Sequence, residues 1–176
     1  MTNRCALSSF SVLCLLLVAC GIATAEAITG LVVGVSDGDT ITVLDEQNYQ
    51  HKIRLAGIDA PEKRQDFGNR AKQSLSDLAY RRQANVETGK TDRYGRQVGK
   101  VIVNGMDVNL EQVRRGMAWH YKAYEREQSL ADRQAYAGAE DTARAARKGL
   151  WALPSPVAPW EFRQTRKAAA SALVRP

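Results

Sequence analysis

Residues 28–58 read as three short runs, "ITGLVVGVSDG", "TITVLDE" and "YQHKIRLAGI", separated by Asp-Gly and by Asp-Glu-Gln-Asn. The first is β-branched, and the other two alternate polar with apolar residues. Alternation puts one face of a strand in a core, and Asp-Gly between hydrophobic runs is a strong hairpin signal. In the third run Tyr49, His51, Ile53 and Leu55 keep the two-residue spacing. The pattern predicts a β-meander, and whatever follows has to pack on it.

Further along, Ala71, Leu75, Leu78 and Ala79 recur at helical spacing and predict an amphipathic helix over residues 69–82. "ANVETGKT" and "QVGKVIVNG" read as two more strands around a loop, with a turn at Asn104-Gly105. Leu110, Val113 and Met117 set a second helix that Asp107 or Asn109 could cap, with Gly116 near its end. A third covers residues 128–148, supported by Glu140 placed four before Arg144. Five strands, one inserted helix and two following helices make an α+β chain compatible with a five-stranded barrel of the oligonucleotide-binding (OB) type. "PSPVAP" then breaks helix and leaves residues 152–176 as a Pro-containing basic tail with no assigned element.

A chain of 176 residues has room for one ordinary domain plus tails. Its 25 Lys and Arg outnumber 19 Asp and Glu, which favours an anionic partner, nucleic acid or a membrane surface. Residues 1–25 are set apart as an export signal: "MTNR" carries one positive charge, "CALSSFSVLCLLLVAC" is apolar, and "ATAEA" offers cleavage after Ala25 or Ala27. Cys5, Cys14 and Cys20 all lie in that leader, so the remaining chain is expected to fold without a disulfide. "LVACG" resembles a bacterial lipoprotein processing site ending before Cys20. Secretion or periplasmic release is the expectation, with a lipid anchor on Cys20 as the alternative.

Three stretches carry the chemistry. "VSDGDTIT" holds Asp37 and Asp39, "RLAGIDAPE" holds Arg54, Asp59 and Glu62, and "TDRYGR" holds Arg93, Tyr94 and Arg96. Singly, they read as a turn, a solvated turn and a solvated loop. Together they supply what phosphodiester hydrolysis requires. Asp39 starts one strand and Asp59 follows the end of another, so a meander can bring both carboxylates to one end of a barrel. Two carboxylates about 4 Å apart repel by roughly 4 kcal/mol at an effective dielectric near 20. A cation between them removes that cost, and an all-oxygen donor set favours Ca²⁺ or Mg²⁺ over zinc. Glu62, not spent on the metal, is the candidate to take a proton from water. The guanidinium forks of Arg54 and Arg96 can hold the phosphate and match the charge of its transition state.

Asp37 reads as a turn residue bonding its own backbone, with a distant metal contact as the alternative, and Gly38 as the supplier of a backbone angle. His51, in a strand, and His120, at a helix end, are expected to be structural or at the surface. Trp119, Trp151 and Trp160 are expected to pack, and Glu111, Arg114 and Arg115 to form a solvated helix face.

"SDGDT", "IRLAGIDAPE" and "TDRYGR", in that order and followed by "VNLEQVRRGMAWHY", resemble the staphylococcal nuclease (thermonuclease) family over residues 28–151. The resemblance implies an OB-fold barrel with three helices and one Ca²⁺ at its end. It makes Asp39 and Asp59 carboxylate ligands, with the main-chain carbonyl of Ala60, where the best-known member has Thr. It makes Glu62 the general base and Arg54 and Arg96 the phosphate ligands. Arg93 and Tyr94 match positions beside the nucleotide, and Tyr121 or Tyr124 would supply a second aromatic. The implied activity is cleavage of DNA and RNA to 3′-phosphates by a monomer without an obligate protein partner. The alternatives are a non-catalytic OB-fold module that binds nucleic acid, and a basic lipoprotein that binds membrane or envelope polymers.

Overall fold

The structure, a computed structural model, describes residues 26–173. The proposed leader, its cysteines and the Ala25 cleavage point lie outside the described residues. Ala27 lies inside the first strand, where it pairs with Glu87.

The strands are β1 (Glu26–Val35), β2 (Thr40–Leu44), β3 (Gln50–Leu55), β4 (Ile58–Asp59), β5 (Gln83–Thr91), β6 (Gln97–Val103), β7 (Met106–Asp107) and β8 (Trp119–His120). The helices are α1 (Gly68–Ala79), α2 (Val108–Arg114), α3 (Leu130–Ala145) and α4 (Pro159–Leu173), with 3₁₀ turns at Lys122–Glu127 and Gly149–Ala152. The main sheet runs β3-β2-β1-β5-β6-β7, and β3 also pairs with β6. That parallel pairing, Ile53 with Gln97 through Leu55 with Gly99, closes five strands into a barrel. This is the OB-type α+β architecture expected from the alternating runs.

The core follows from the same alternation. Val32, Ile41, Val43, Ile53, Leu55, Val86, Val101 and Val103 are fully buried inside the barrel. α1 seals one side with Ala71, Leu75, Leu78 and Ala79, the four residues its spacing singled out. Tyr49 departs from the expected strand: it lies outside β3 and is exposed, because the turn before it is built by Asp45, whose carboxylate accepts from the Gln47 and Tyr49 N–H groups.

Helix ends differ from the sequence expectation for local reasons. α1 stops at Ala79 rather than Arg82 because Arg81 takes a left-handed conformation (φ 58°) to enter β5. α2 stops at Arg114, short of Met117, in a Schellman closure: the Met117 N–H donates to the Gln112 carbonyl and the Gly116 N–H to that of Val113. Asp107 is the α2 cap, accepting from the Leu110 N–H at 2.9 Å, and Asn109 is not. α3 begins after Ser129, whose hydroxyl accepts from Asp132. His120 sits in β8, paired with Ile58, rather than at a helix end, and is buried. The residues past Leu153 are not a plain tail. They form a fourth helix, α4, beginning on Pro159, a residue pre-set for the first helical position.

Two buried amides connect helices to barrel. Gln112 of α2 donates to the carbonyls of Gly38 (2.8 Å) and Ala71 (3.0 Å) and accepts from the Ser74 hydroxyl (2.6 Å). Asn109 donates to the carbonyls of Ala56 and Gly99 and accepts from the Val101 N–H. Both leave no donor or acceptor wasted, as buried amides require, and both fix the barrel end where the charged residues converge.

Candidate active site

The β1–β2 turn sets the first carboxylate. The Asp37 side chain accepts from the Asp39 N–H at 3.1 Å, the Asx-type turn expected of it. Gly38 is not there for a backbone angle, since its φ is not positive. A Cβ on it would lie 2.6 Å from the Cβ atoms of both Ala60 and Ala71, so glycine lets the turn close on α1 and on the loop after β4. This places Asp39, buried, with Oδ1 accepting from the Thr40 hydroxyl at 3.1 Å and Oδ2 from the Ala60 N–H at 2.8 Å. Ala60 thus meets Asp39 through its amide N–H, which leaves its carbonyl, the atom the resemblance assigns to a metal, uninvolved in that bond.

β3 and β4 set the second. Arg54 projects from β3, with one arm on Asp39 Oδ2 and the other on Asp59 Oδ1 at 2.9 Å. One guanidinium therefore brings the two aspartates to a common point. Asp59 is 1% exposed, and burial pushes its carboxyl pKa up against the opposing pull of Arg163 and Arg54. Burial alone would lower the Arg54 pKa, but Asp39, Asp59 and Asp37 overcome that and raise it.

Glu62 lies on the loop between β4 and α1. Its N–H donates to Gln65 Oε1 and its carbonyl accepts from the Gln65 N–H at 2.8 Å. A Cβ on Gly68 would fall 2.0 Å from that carbonyl, so glycine at the start of α1 fixes how closely the Glu62 loop can lie.

Arg96 opens on the far side of Asp39. Asp92 holds its Nε at 2.8 Å and Nη2 at 2.7 Å, and its Nη1 donates to the Thr40 hydroxyl at 3.4 Å. Thr40 therefore joins Arg96 to Asp39, a link the sequence reading did not include. The hydrogen bonds from Arg96 and Tyr94 keep the Asp92 carboxyl pKa low despite partial burial.

These residues line one groove of 1270 Å³. Tyr94, 68% exposed, stands on its wall with the guanidinium of Arg93 4.9 Å and that of Arg96 5.4 Å from its ring centroid. Tyr121 and Tyr124 meet edge to face at 5.4 Å on another part of the same groove, with Lys90 4.5 Å from the Tyr124 centroid. All ten residues that the sequence assigns to metal, catalysis or substrate line this groove. His51 bridges Asp45 and Gln97, His120 bonds Gln128, and Trp119 packs on Trp151 and Trp160, so none of them is part of the charged cluster.

One residue in the cluster went unforeseen. Arg163 of α4 donates from Nη2 to Asp59 Oδ2 at 2.7 Å, and from Nη1 to Asp59 Oδ1 at 3.2 Å and to Glu62 Oε1 at 2.8 Å. Its hydrogen bond to Asp59 is the main cause of a pKa above the ordinary arginine value. The available signal was Pro159 opening a stretch in which Trp160 and Arg163 share a helix face.

The donor chemistry fits a hard divalent cation. Asp39 and Asp59 meet at Arg54, and at neighbouring Asp37 burial first and the Asp39 charge second raise the carboxyl pKa to about 6. Among the described residues no three His, Cys, Asp or Glu side chains converge as a metal cluster. An ion here would take Asp39 and Asp59 and complete its shell with backbone and water oxygens, as Ca²⁺ and Mg²⁺ both accept.

Comparison with known proteins agrees with this geometry. The family model for staphylococcal nuclease homologues matches residues 52–153. The chain is 42% identical over 142 residues to an uncharacterized endonuclease of Haemophilus influenzae, covering 81% of this chain and 76% of that one. It is 44% identical over 145 residues to protein ParB of Escherichia coli, covering 77% and 78%. To the micrococcal nuclease of Shigella flexneri it is 41% identical over 147 residues, covering 78% and 82%. With the barrel, the paired aspartates and the flanking arginines on one groove, the chain belongs to the staphylococcal nuclease family.

Proposed function

We propose that this protein is an exported, calcium-dependent, sugar-nonspecific nuclease that hydrolyses DNA and RNA and leaves 3′-phosphates. The observation that carries the reading is the single guanidinium of Arg54 spanning Asp39 and Asp59, with Arg96 one hydroxyl away and Glu62 at the rim. Family membership and relatives named as endonuclease and micrococcal nuclease make the chain a phosphodiesterase of the hydrolase class.

In this reading Asp39, Asp59 and the main-chain carbonyl of Ala60 would hold Ca²⁺. The ion would supply Lewis-acid polarisation of a phosphoryl oxygen and charge compensation. The chain's own residues do the rest. Glu62 accepts a proton from the attacking water, whose oxygen forms the new bond to phosphorus as the bond to the 5′ oxygen breaks, and that oxygen takes a proton from solvent to leave as a hydroxyl. Arg54 and Arg96 donate to the non-bridging oxygens, where negative charge grows in the pentacoordinate state. Thr40 and Asp92 orient Arg96. Tyr94, Tyr121 and Tyr124 give flat apolar faces on which bases of a single strand stack without sequence readout, and Lys90 and Arg93 follow its backbone.

End-group analysis tests the reaction. DNA and RNA oligonucleotides incubated with the protein and Ca²⁺ are expected to give fragments with 3′-phosphate and 5′-hydroxyl ends. Fragments carrying 5′-phosphates would overturn the assigned bond, and binding without cleavage across a panel of divalent ions would leave the non-catalytic module as the better account.

A further inference from the structure

The feature that neither the family match nor the proposed reaction absorbs is α4. The matched region ends at residue 153, and α4 begins six residues later. It is nevertheless seated on the site. Trp160 meets Trp119 at 5.5 Å and Tyr121 at 5.3 Å, Ala158 is buried, and Gln65 Nε2 donates to the Val157 carbonyl at 2.6 Å. This anchoring carries Arg163 to Asp59 across 104 positions of sequence and to Glu62 across 101.

The placement has a consequence for any divalent ion at Asp59. Asp59 is almost wholly buried and already carries Arg54 on Oδ1; Arg163 is the second cation on it and reaches both oxygens, Oδ2 by itself. An ion coordinated by the same carboxylate would face the guanidinium at short range, and like charges in a partly desolvated site repel strongly. Glu62 is affected too. Its Oε1 accepts from Arg163, a donor that a base must release.

Building on the metal reading above, we propose that Arg163 is a built-in competitor for the divalent cation. It holds Asp59 and Glu62 in the ion's absence and withdraws, with the Trp160 end of α4 loosening, when the ion enters. Arg163 thereby sets the ion concentration at which the site becomes competent. The side chain is 45% exposed, so it has solvent to withdraw into.

Calorimetric titration with CaCl₂ tests this directly. Arg163→Ala is expected to bind Ca²⁺ about tenfold or more tightly than the parent, the effect of removing a competing partner of the binding-competent form. Arg163→Lys, which keeps the charge but loses the fork, is expected to fall between them. Glu161→Ala, on the same helix but outside the cluster, is expected to match the parent. Hydrogen exchange in α4 is expected to speed up on adding Ca²⁺ to the parent and to be insensitive to Ca²⁺ in Arg163→Ala. Equal or weaker Ca²⁺ binding by Arg163→Ala, or α4 exchange in the parent unmoved by Ca²⁺, would overturn the role of Arg163 while leaving the metal reading intact. Absence of Ca²⁺ binding by both proteins would overturn the metal reading and this inference with it.

Discussion

At Thr40 a single hydroxyl joins the two halves of the site, donating to Asp39 and accepting from Arg96. Around it each charged residue has a distinct partner, and that predicts distinct losses. Glu62→Gln keeps the shape of the side chain but cannot take a proton, so steady-state kinetics should show kcat lower by roughly 10²-fold or more. Arg96→Ala should lower kcat/KM by a similar roughly 10²-fold or more, through loss of transition-state donors. Near-parent kinetics in either would reassign the base or the phosphate ligand. Gly38→Ala should be damaging without touching any charge, because its Cβ meets Ala60 and Ala71. Overpacking of that kind costs about 1–3 kcal/mol, measurable as a lower urea midpoint. The carboxylates and arginines were legible in the sequence by residue type and by the three short motifs that hold them, although their contacts span as many as 56 positions. The role of Gly38 was not, because its closest contacts are 22 and 33 positions away in a loop and a helix, and only folding brings them to it.

At the scale of elements, α1 and α2 hold the barrel end in shape rather than contributing charged groups to the site, whereas α4 brings Arg163. Gln112 is the clearest case: one buried amide ties α2 to α1 and to the Asp37–Gly38 turn. Gln112→Leu leaves two carbonyls and a hydroxyl without this partner in the core. Denaturant unfolding should show a loss of about 2–4 kcal/mol, since unsatisfied buried groups cost about 1–3 kcal/mol each and the apolar replacement recovers part. An unchanged midpoint would mean that water or rearrangement satisfies those groups. Strand alternation and the α1 stripe were legible, since a barrel with one helix on it needs only period-two and period-3.6 patterns. The ends of α1 and α2 were not, because a left-handed residue and a Schellman closure, not the apolar pattern, decide them. α4 was the largest omission. Its two aromatic residues, Trp160 and Phe162, are followed by a polar stretch and then a run of alanines, which sets no periodic face, and its docking depends on Trp119 and Tyr121 far earlier in the chain.

For the whole molecule, a basic chain carries an acidic cluster at one barrel end and surrounds it with cations along a groove. Lys90, Arg93, Arg54 and Arg96 line that groove, so binding of single-stranded DNA should weaken with salt. At about 0.7 per neutralised phosphate on a single strand, the slope of log association constant against log salt should be about −2 to −3. A flat salt dependence would remove the groove as the binding surface. The central claim, that the carboxylates need a divalent ion and the arginines need a phosphate to complete them, is tested most directly by one assay. The purified protein is given single-stranded DNA with Ca²⁺, then with excess chelator, then with Ca²⁺ restored. The account predicts degradation, arrest and recovery. Cleavage that continues unchanged in the chelator, or intact DNA at every stage, would contradict it.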